Sequence, residues 1–432
     1  MAATGAATLP APSAATRGHG LLSPAQAAAL RDVASALIVS RLVIWAVGVA
    51  AALLFVPETL RLDHVDPSRW TAPFDSGLWN ALVAPGARFD SAWLLDITNG
   101  GYSTPGTPAF FPLYPALTAV GGGLLGSDVV AGILLSTVAG FAGLYLLHRL
   151  VTLDFGPDVA RRVIWITACL PTAFTFTAVY TESLFLLLSV GAIYAARLGR
   201  WELAALAAAL AATNRSAGLL LVVPIALLYL YGPRADRAAD RTGPGMRPRY
   251  SVRPGALAVT APVLGIAAFV IYLGATTGDP LGMLDAQQLW ERSFAPMMGL
   301  VDGTLAAGRG LIDLIAGTHL NTATPNPRGM GALNLFLFGS LVVGLWLLAK
   351  SVRRLPPAYT AYAAVSLALP LSSPGLEQPL MSMPRFMMVA FPLWITLALV
   401  VPDEVRWRRI LGGSTALLAV STALFTGWMV AP

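Results

Sequence analysis

Apolar stretches of about 16–22 residues recur from one end of this 432-residue chain to the other. At 1.5 Å of rise per residue, each is long enough to cross all or most of a hydrocarbon core about 30 Å thick. Strands of a membrane barrel alternate in polarity, and these stretches do not. The sequence therefore predicts an all-α, polytopic helical membrane protein.

The charge content agrees. Only 12% of the residues are charged, where a soluble globular chain carries roughly 25%. That excludes a soluble enzyme with a polar surface, and equally a disordered or nucleic-acid-coating chain. The lipid bilayer is the expected partner and nucleic acid is not. The net charge of +6 has a simple origin, because basic residues of membrane proteins collect in cytoplasmic loops. Lys350 is the only lysine beside 27 arginines, and alanine is abundant. This is the composition of a GC-rich genome and suggests a bacterial plasma membrane. Cys169 is the only cysteine and lies in an apolar run, so intramolecular disulfides and Cys-based zinc sites are excluded. His19, His64, His148 and His319 are scattered without metal-ligand spacing. No cofactor is required; a divalent cation, if used, would rest on carboxylates and carbonyls.

Spans are expected near 34–55, 127–147, 163–180, 183–198, 201–214, 216–232, 255–276, 333–349, 357–372, 385–401 and 410–430. Residues 1–33 read as a disordered cytoplasmic tail, and 34–432 as one transmembrane domain. Segment 109–125 is ambiguous, with prolines at one end and a glycine run at the other. If it does not cross, 19 of the 28 basic residues fall in the tail and cytoplasmic loops. If it crosses, every later loop inverts and the rule fails throughout. It is therefore expected to be re-entrant or interfacial, leaving about 11 spans. Two long loops then face outward, 56–108 and 277–332, and 233–254 is a solvated basic linker inside.

On this layout Asp90, Glu182, Arg215, Asp279 and Arg385 all fall at outer span ends or just beyond. Ionisable groups at membrane depth cost about 2.5–3.5 kcal/mol each, so they are functional candidates. Residues 88–97 read as a short amphipathic helix with Asp90, Trp93, Leu94 and Ile97 on one face. Arg385 suits a phosphate clamp. Arg41 lies inside the first span and has no partner that the sequence identifies.

These motifs resemble the PIG-V mannosyltransferases. Arg88-Phe89-Asp90 with Trp93, then Gly101-Tyr102, then Phe110-Phe111-Pro112-Leu113-Tyr114-Pro115 resembles the first outer loop of that family. Tyr180-Thr181-Glu182-Ser183-Leu184-Phe185, Arg215 with Gly218, Gly278-Asp279-Pro280-Leu281 with Gln287 and Trp290, and Pro384-Arg385-Phe386 follow in the same order. The resemblance implies a GT-C-like fold with re-entrant or interfacial helices in a large first outer loop. It implies inverting transfer of a mannosyl or other hexosyl residue from a polyprenyl-phosphate sugar to a glycolipid or glycan acceptor, on the extracytoplasmic side. Asp90 would be the general base. Arg88, Trp93, Tyr102, Tyr114, Glu182, Arg215, Asp279 and Arg385 would bind substrate. Phe89 stands where Trp is common, which keeps an aromatic ring. A polytopic transporter or lipid flippase is the rival reading. Against it, the charges gather on one side, and no inverted repeat is evident between the halves.

Overall fold

The structure is a computed structural model and describes residues 22–55, 66–241, 247–316 and 327–430. These residues form helices and short 3-10 turns, with no strand among them. The first helix is Pro24–Leu54. Ser23 Oγ accepts the Gln26 amide at 3.3 Å, and Gln26 Oε1 accepts the Ser23 amide at 2.8 Å. That capping box, with proline at the first helical position, starts the helix ahead of the boundary expected at 34. Asp32 on this added segment meets buried His148 Nε2 at 3.1 Å. Most of the expected tail, residues 1–21, lies outside the described residues.

Of the eleven expected spans, five coincide with helices long and apolar enough to cross a membrane unaided. These are Pro24–Leu54, Asp128–Phe155, Pro254–Thr277, Gly329–Ser351 and Glu404–Thr426. A sixth results if Met383–Val389 and Pro392–Val400, bent by 82°, count as one. The other positions hold shorter pieces, including Pro157–Ala168, Glu182–Arg197, Trp201–Asn214, Val222–Tyr231 and Pro357–Leu371. Proline accounts for part of the shortening, because it lacks an amide donor and crowds the preceding turn. Leu113–Leu125 is a helix of 13 residues, about 20 Å long and too short for a 30 Å core.

The short helices pack closely where side chains are small. A Cβ on Gly143 would sit 3.0 Å from the Leu187 amide nitrogen. One on Gly218 would lie 2.3 Å from the Ala211 carbonyl carbon, so only glycine lets the turn after Arg215 fold back onto Trp201–Asn214.

Two of the expected loops hold defined structure. The segment 277–332, expected to face outward, contains the helix Met298–Ala316, which lies along Pro327–Ser351. Its buried face carries Gly299, Gly303, Ala306, Ala307 and Gly310; a Cβ on Gly310 would come within 2.6 Å of the Gly331 oxygen. Small residues together with Asp302, Arg309 and Asp313 mask its helical character in hydropathy. Residues 317–326 of that loop lie outside the described residues.

The second is 233–254, which is folded where it is described. Arg234, 8% exposed, sits against the rings of Trp201, Tyr229 and Tyr250 at 4.4, 4.7 and 4.9 Å. Its Nε donates to Asp236 Oδ1 at 2.6 Å. The amides of Asp240 and Arg241 both donate to the Arg249 carbonyl. Trp201 and Tyr229 from two helices, with the loop's own Tyr250, supply the apolar wall.

Candidate active site

A cavity of about 430 Å³ opens among Asp90, Trp93, Phe110, Arg215, Arg292 and Arg385. Six sequence-distant segments line it, within 89–93, 109–111, 214–217, 287–292 and 381–386 and at Thr181. Asp90 is the first residue of the helix Asp90–Gly100, whose Leu94, Leu95 and Ile97 are buried. The sequence-predicted face is therefore split: Asp90 and Trp93 line the cavity while Leu94 and Ile97 anchor the helix. Trp93 stacks on Phe110, with centroids 6.2 Å apart and planes 13° from parallel.

Glu182 opens the helix Glu182–Arg197 and is completely buried. Arg215 follows Trp201–Asn214 in extended conformation. It donates to Glu182 Oε1 and, at 3.1 Å, to Thr181 Oγ1. Its guanidinium lies 5.4 Å from the Phe386 ring. Arg385, from the short helix Met383–Val389, donates to Asp90 Oδ2. Its Nε is 3.4 Å from Glu182 Oε1, and its guanidinium lies 5.6 Å from the Tyr180 ring. A buried ion pair of this kind is costly to break, about 3–5 kcal/mol when one partner is lost. Asp90, Glu182, Arg215 and Arg385 thus form one continuous network. Glu182 sits behind the cavity wall and ties the two arginines together, rather than facing a ligand.

Arg292 completes the polar lining. Its guanidinium donates to the Met381 carbonyl at 3.4 Å, and its buried Nε has no hydrogen-bond partner among the described residues. Burial, and then the neighbouring Arg385, push its pKa down to about 10. Three guanidiniums therefore face two carboxylates in this region.

The remaining candidates sit elsewhere. Arg88 donates to the carbonyls of Ala84, Ala87 and Thr426 at 3.1, 2.8 and 3.0 Å, tying the first long loop to the C-terminal helix. Tyr102 donates to the Phe110 carbonyl at 2.9 Å and packs against Phe269, which orients Phe110 beside the cavity. Tyr114 is fully buried against Gly132 and Ser136, fastening Leu113–Leu125 to Asp128–Phe155. Asp279 is exposed; its Oδ1 accepts the Leu281 amide at 3.1 Å, and it does not line the cavity. Arg41 finds one acceptor, the Ala168 carbonyl at 3.1 Å.

Among the described residues, no group of three or more His, Cys, Asp or Glu side chains is placed to hold a metal ion. Asp90 and Glu182 face guanidiniums, and Asp279 is outside the cavity.

Sequence reading did not assign Arg292, Tyr180 or Phe386. Arg292 carried a usable signal, since it is one of the few arginines on the side expected to face outward. Tyr180 and Phe386 look like ordinary core aromatics until the chain is folded.

Residues 33–231, a little under half of the chain, match the family model described as Mannosyltransferase (PIG-V). The match includes Asp90, Tyr180, Glu182 and Arg215, whereas Arg292 and Arg385 lie beyond it. No curated protein and no solved structure matches significantly. This match, beside a cavity built partly on its residues and a scaffold of membrane-length helices, supports an integral membrane glycosyltransferase similar to the PIG-V mannosyltransferases.

Proposed function

We propose that the chain transfers a mannosyl residue from a polyprenyl-phosphate sugar to a glycolipid or glycan acceptor, with inversion, using Asp90 as general base. The supporting observation is the charge balance of the cavity. Asp90 and Glu182 offset two of the three guanidiniums of Arg215, Arg292 and Arg385, leaving one in excess. A phosphodiester-linked sugar brings one negative charge, which suits that excess. A diphosphate donor brings more charge than the cavity balances.

The chemistry needs little else. The acceptor hydroxyl gives its proton to Asp90 as its oxygen bonds to the sugar C1. The bond from C1 to the phosphate oxygen breaks, and the electron pair leaves with the polyprenyl phosphate. Phosphate is a good leaving group, so no carboxylic acid has to protonate it. Arg385 and Arg215 stabilise its developing charge, and a water-poor, partly apolar site strengthens that effect. Trp93 and Phe110 give the sugar and the first isoprene units an apolar wall.

The helix ends support an outward-facing site. Glu182 and Arg197 terminate the same helix at opposite ends, and Arg197 there pairs with Asp154 at 2.9 Å. Arginines gather on the Arg197 side, which the positive-inside rule assigns to the cytoplasm. The cavity then faces the other side, outward.

The test is Asp90→Asn in the purified chain, assayed with polyprenyl-phosphate mannose. General-base loss should slow transfer by about 10²–10⁴-fold, with product of inverted anomeric configuration from the wild type. A folded variant that transfers at the wild-type rate removes the assignment.

A further inference from the structure

The backbone immediately before Asp90 is strained. Phe89 has φ 51° and ψ −112°, close to the first central position of a type II′ turn, which is glycine territory. The Ser91 amide closes that turn onto the Arg88 carbonyl at 3.1 Å. Holding a bulky residue there costs about 1–3 kcal/mol and persists only where surrounding structure enforces it. As the first residue of its helix, Asp90 also has an amide with no intrahelical acceptor.

One side chain answers both problems. The Tyr180 hydroxyl accepts the Asp90 amide at 3.2 Å and donates to the Arg88 carbonyl at 3.2 Å, bridging the two residues that flank Phe89. Tyr180 is 1% exposed and does not line the cavity. Its ring packs edge-on against Phe425 at 5.7 Å, and its own carbonyl accepts Ser136 Oγ at 3.2 Å. Phe89 is held from the other side by Trp428 and Phe425, with centroids at 5.0 and 5.7 Å.

We infer that Tyr180 is a positioning residue for Asp90: its hydroxyl clamps the strained Arg88–Ser91 turn and so aims the Asp90 carboxylate into the cavity. Released from the clamp, Phe89 relaxes toward negative φ. The following peptide plane rotates and carries the carboxylate away from Arg385 and from an acceptor hydroxyl. This rests on the reading of Asp90 as general base.

Tyr180→Phe isolates the hydroxyl, because it keeps the ring in the core and beneath Arg385. A misplaced base costs about 10–100-fold in rate. The variant should show that loss in kcat, with the donor KM within about threefold of wild type. In an Asp90→Asn background, removing the hydroxyl should cost nothing further, since the group it positions is already disabled. A merely structural tyrosine would lower the yield of folded protein, or add its full loss to that of Asp90→Asn. Wild-type kcat in Tyr180→Phe, a loss confined to KM, or an undiminished further loss in the double variant each overturns the proposal. Wild-type turnover by Asp90→Asn alone is a separate result, which removes the base assignment itself.

Discussion

Arg385 donates to the Asp90 carboxylate across 295 residues of sequence, while its Nε stays 3.4 Å from Glu182 Oε1. One guanidinium thus serves two acids and rests on the Tyr180 ring. A rigid planar fork spreads these contacts over separate nitrogens, whereas lysine offers one compact charge on a flexible stem. Arg385→Lys keeps the charge, so the protein should still accumulate. Its transfer rate should fall about 10²–10³-fold, the cost of losing one preorganised donor to developing charge. Transfer assays on the purified variant check this, and a rate within threefold of wild type contradicts it.

Arg292 should trade stability for donor affinity. Burial, and secondarily Arg385, hold its pKa near 10, below the usual arginine value. A cation whose pKa is lowered by folding weakens the fold wherever it is charged, so the penalty is present at neutral pH and fades as pH rises through about 10. Arg292→Met should therefore raise the unfolding midpoint of the ligand-free protein at neutral pH, by about 2–4 °C for each kcal/mol recovered. The gap between variant and wild type should narrow above pH 10. Donor KM should rise about 10-fold or more, the value of a hydrogen bond to a charged group. Thermal melts in detergent at two pH values, with donor titrations, decide both halves.

Asp279 should be dispensable for turnover, although the family resemblance implies a substrate contact. It is exposed, caps its own turn through the Leu281 amide, and stands off the cavity lining. Exposed substitutions away from special features stay within about 0.5 kcal/mol. Asp279→Asn should hold kcat/KM within about twofold of wild type. A tenfold loss would return Asp279 to the site.

Much of this was legible because charge is scarce. Asp90, Glu182, Arg215 and Arg385 stand out in an apolar chain, and the structure gathers all four. What stayed hidden depended on three-dimensional neighbours. Glu182 reads as a ligand-facing acid, yet it is buried between two arginines. Tyr180 and Tyr114 have the same composition signal, but one hydroxyl meets the Asp90 turn and the other a helix seam. The helix Met298–Ala316 escaped hydropathy because glycine and alanine make its contacts. Arg88 shows the reverse error: only two residues before Asp90 in sequence, it spends its donors on three carbonyls away from the cavity.

The segment after Val222–Tyr231 offers a test far from the cavity. Arg234 is held by three aromatic rings and by Asp236, whose carboxyl is pushed below its ordinary value chiefly by the hydrogen bond from Arg234. Each cation–π contact is worth about 0.5–2 kcal/mol, so Arg234→Ala should release residues 235–241 and 247–253 from the bundle. These contain several arginines, which makes trypsin a direct probe: opening worth about 1.4 kcal/mol should speed cleavage tenfold. The Asp236 contribution is fully present above the ordinary carboxylate range and is lost as pH falls through its lowered value, so acid should open the wild-type loop toward the variant's behaviour. Transfer activity should be spared. Trp201, which carries the Arg234 cage, and Arg215, which lines the cavity, flank the same 14-residue helix, about 20 Å apart along its axis. Equal cleavage of wild type and Arg234→Ala would show that the cage does not hold the loop.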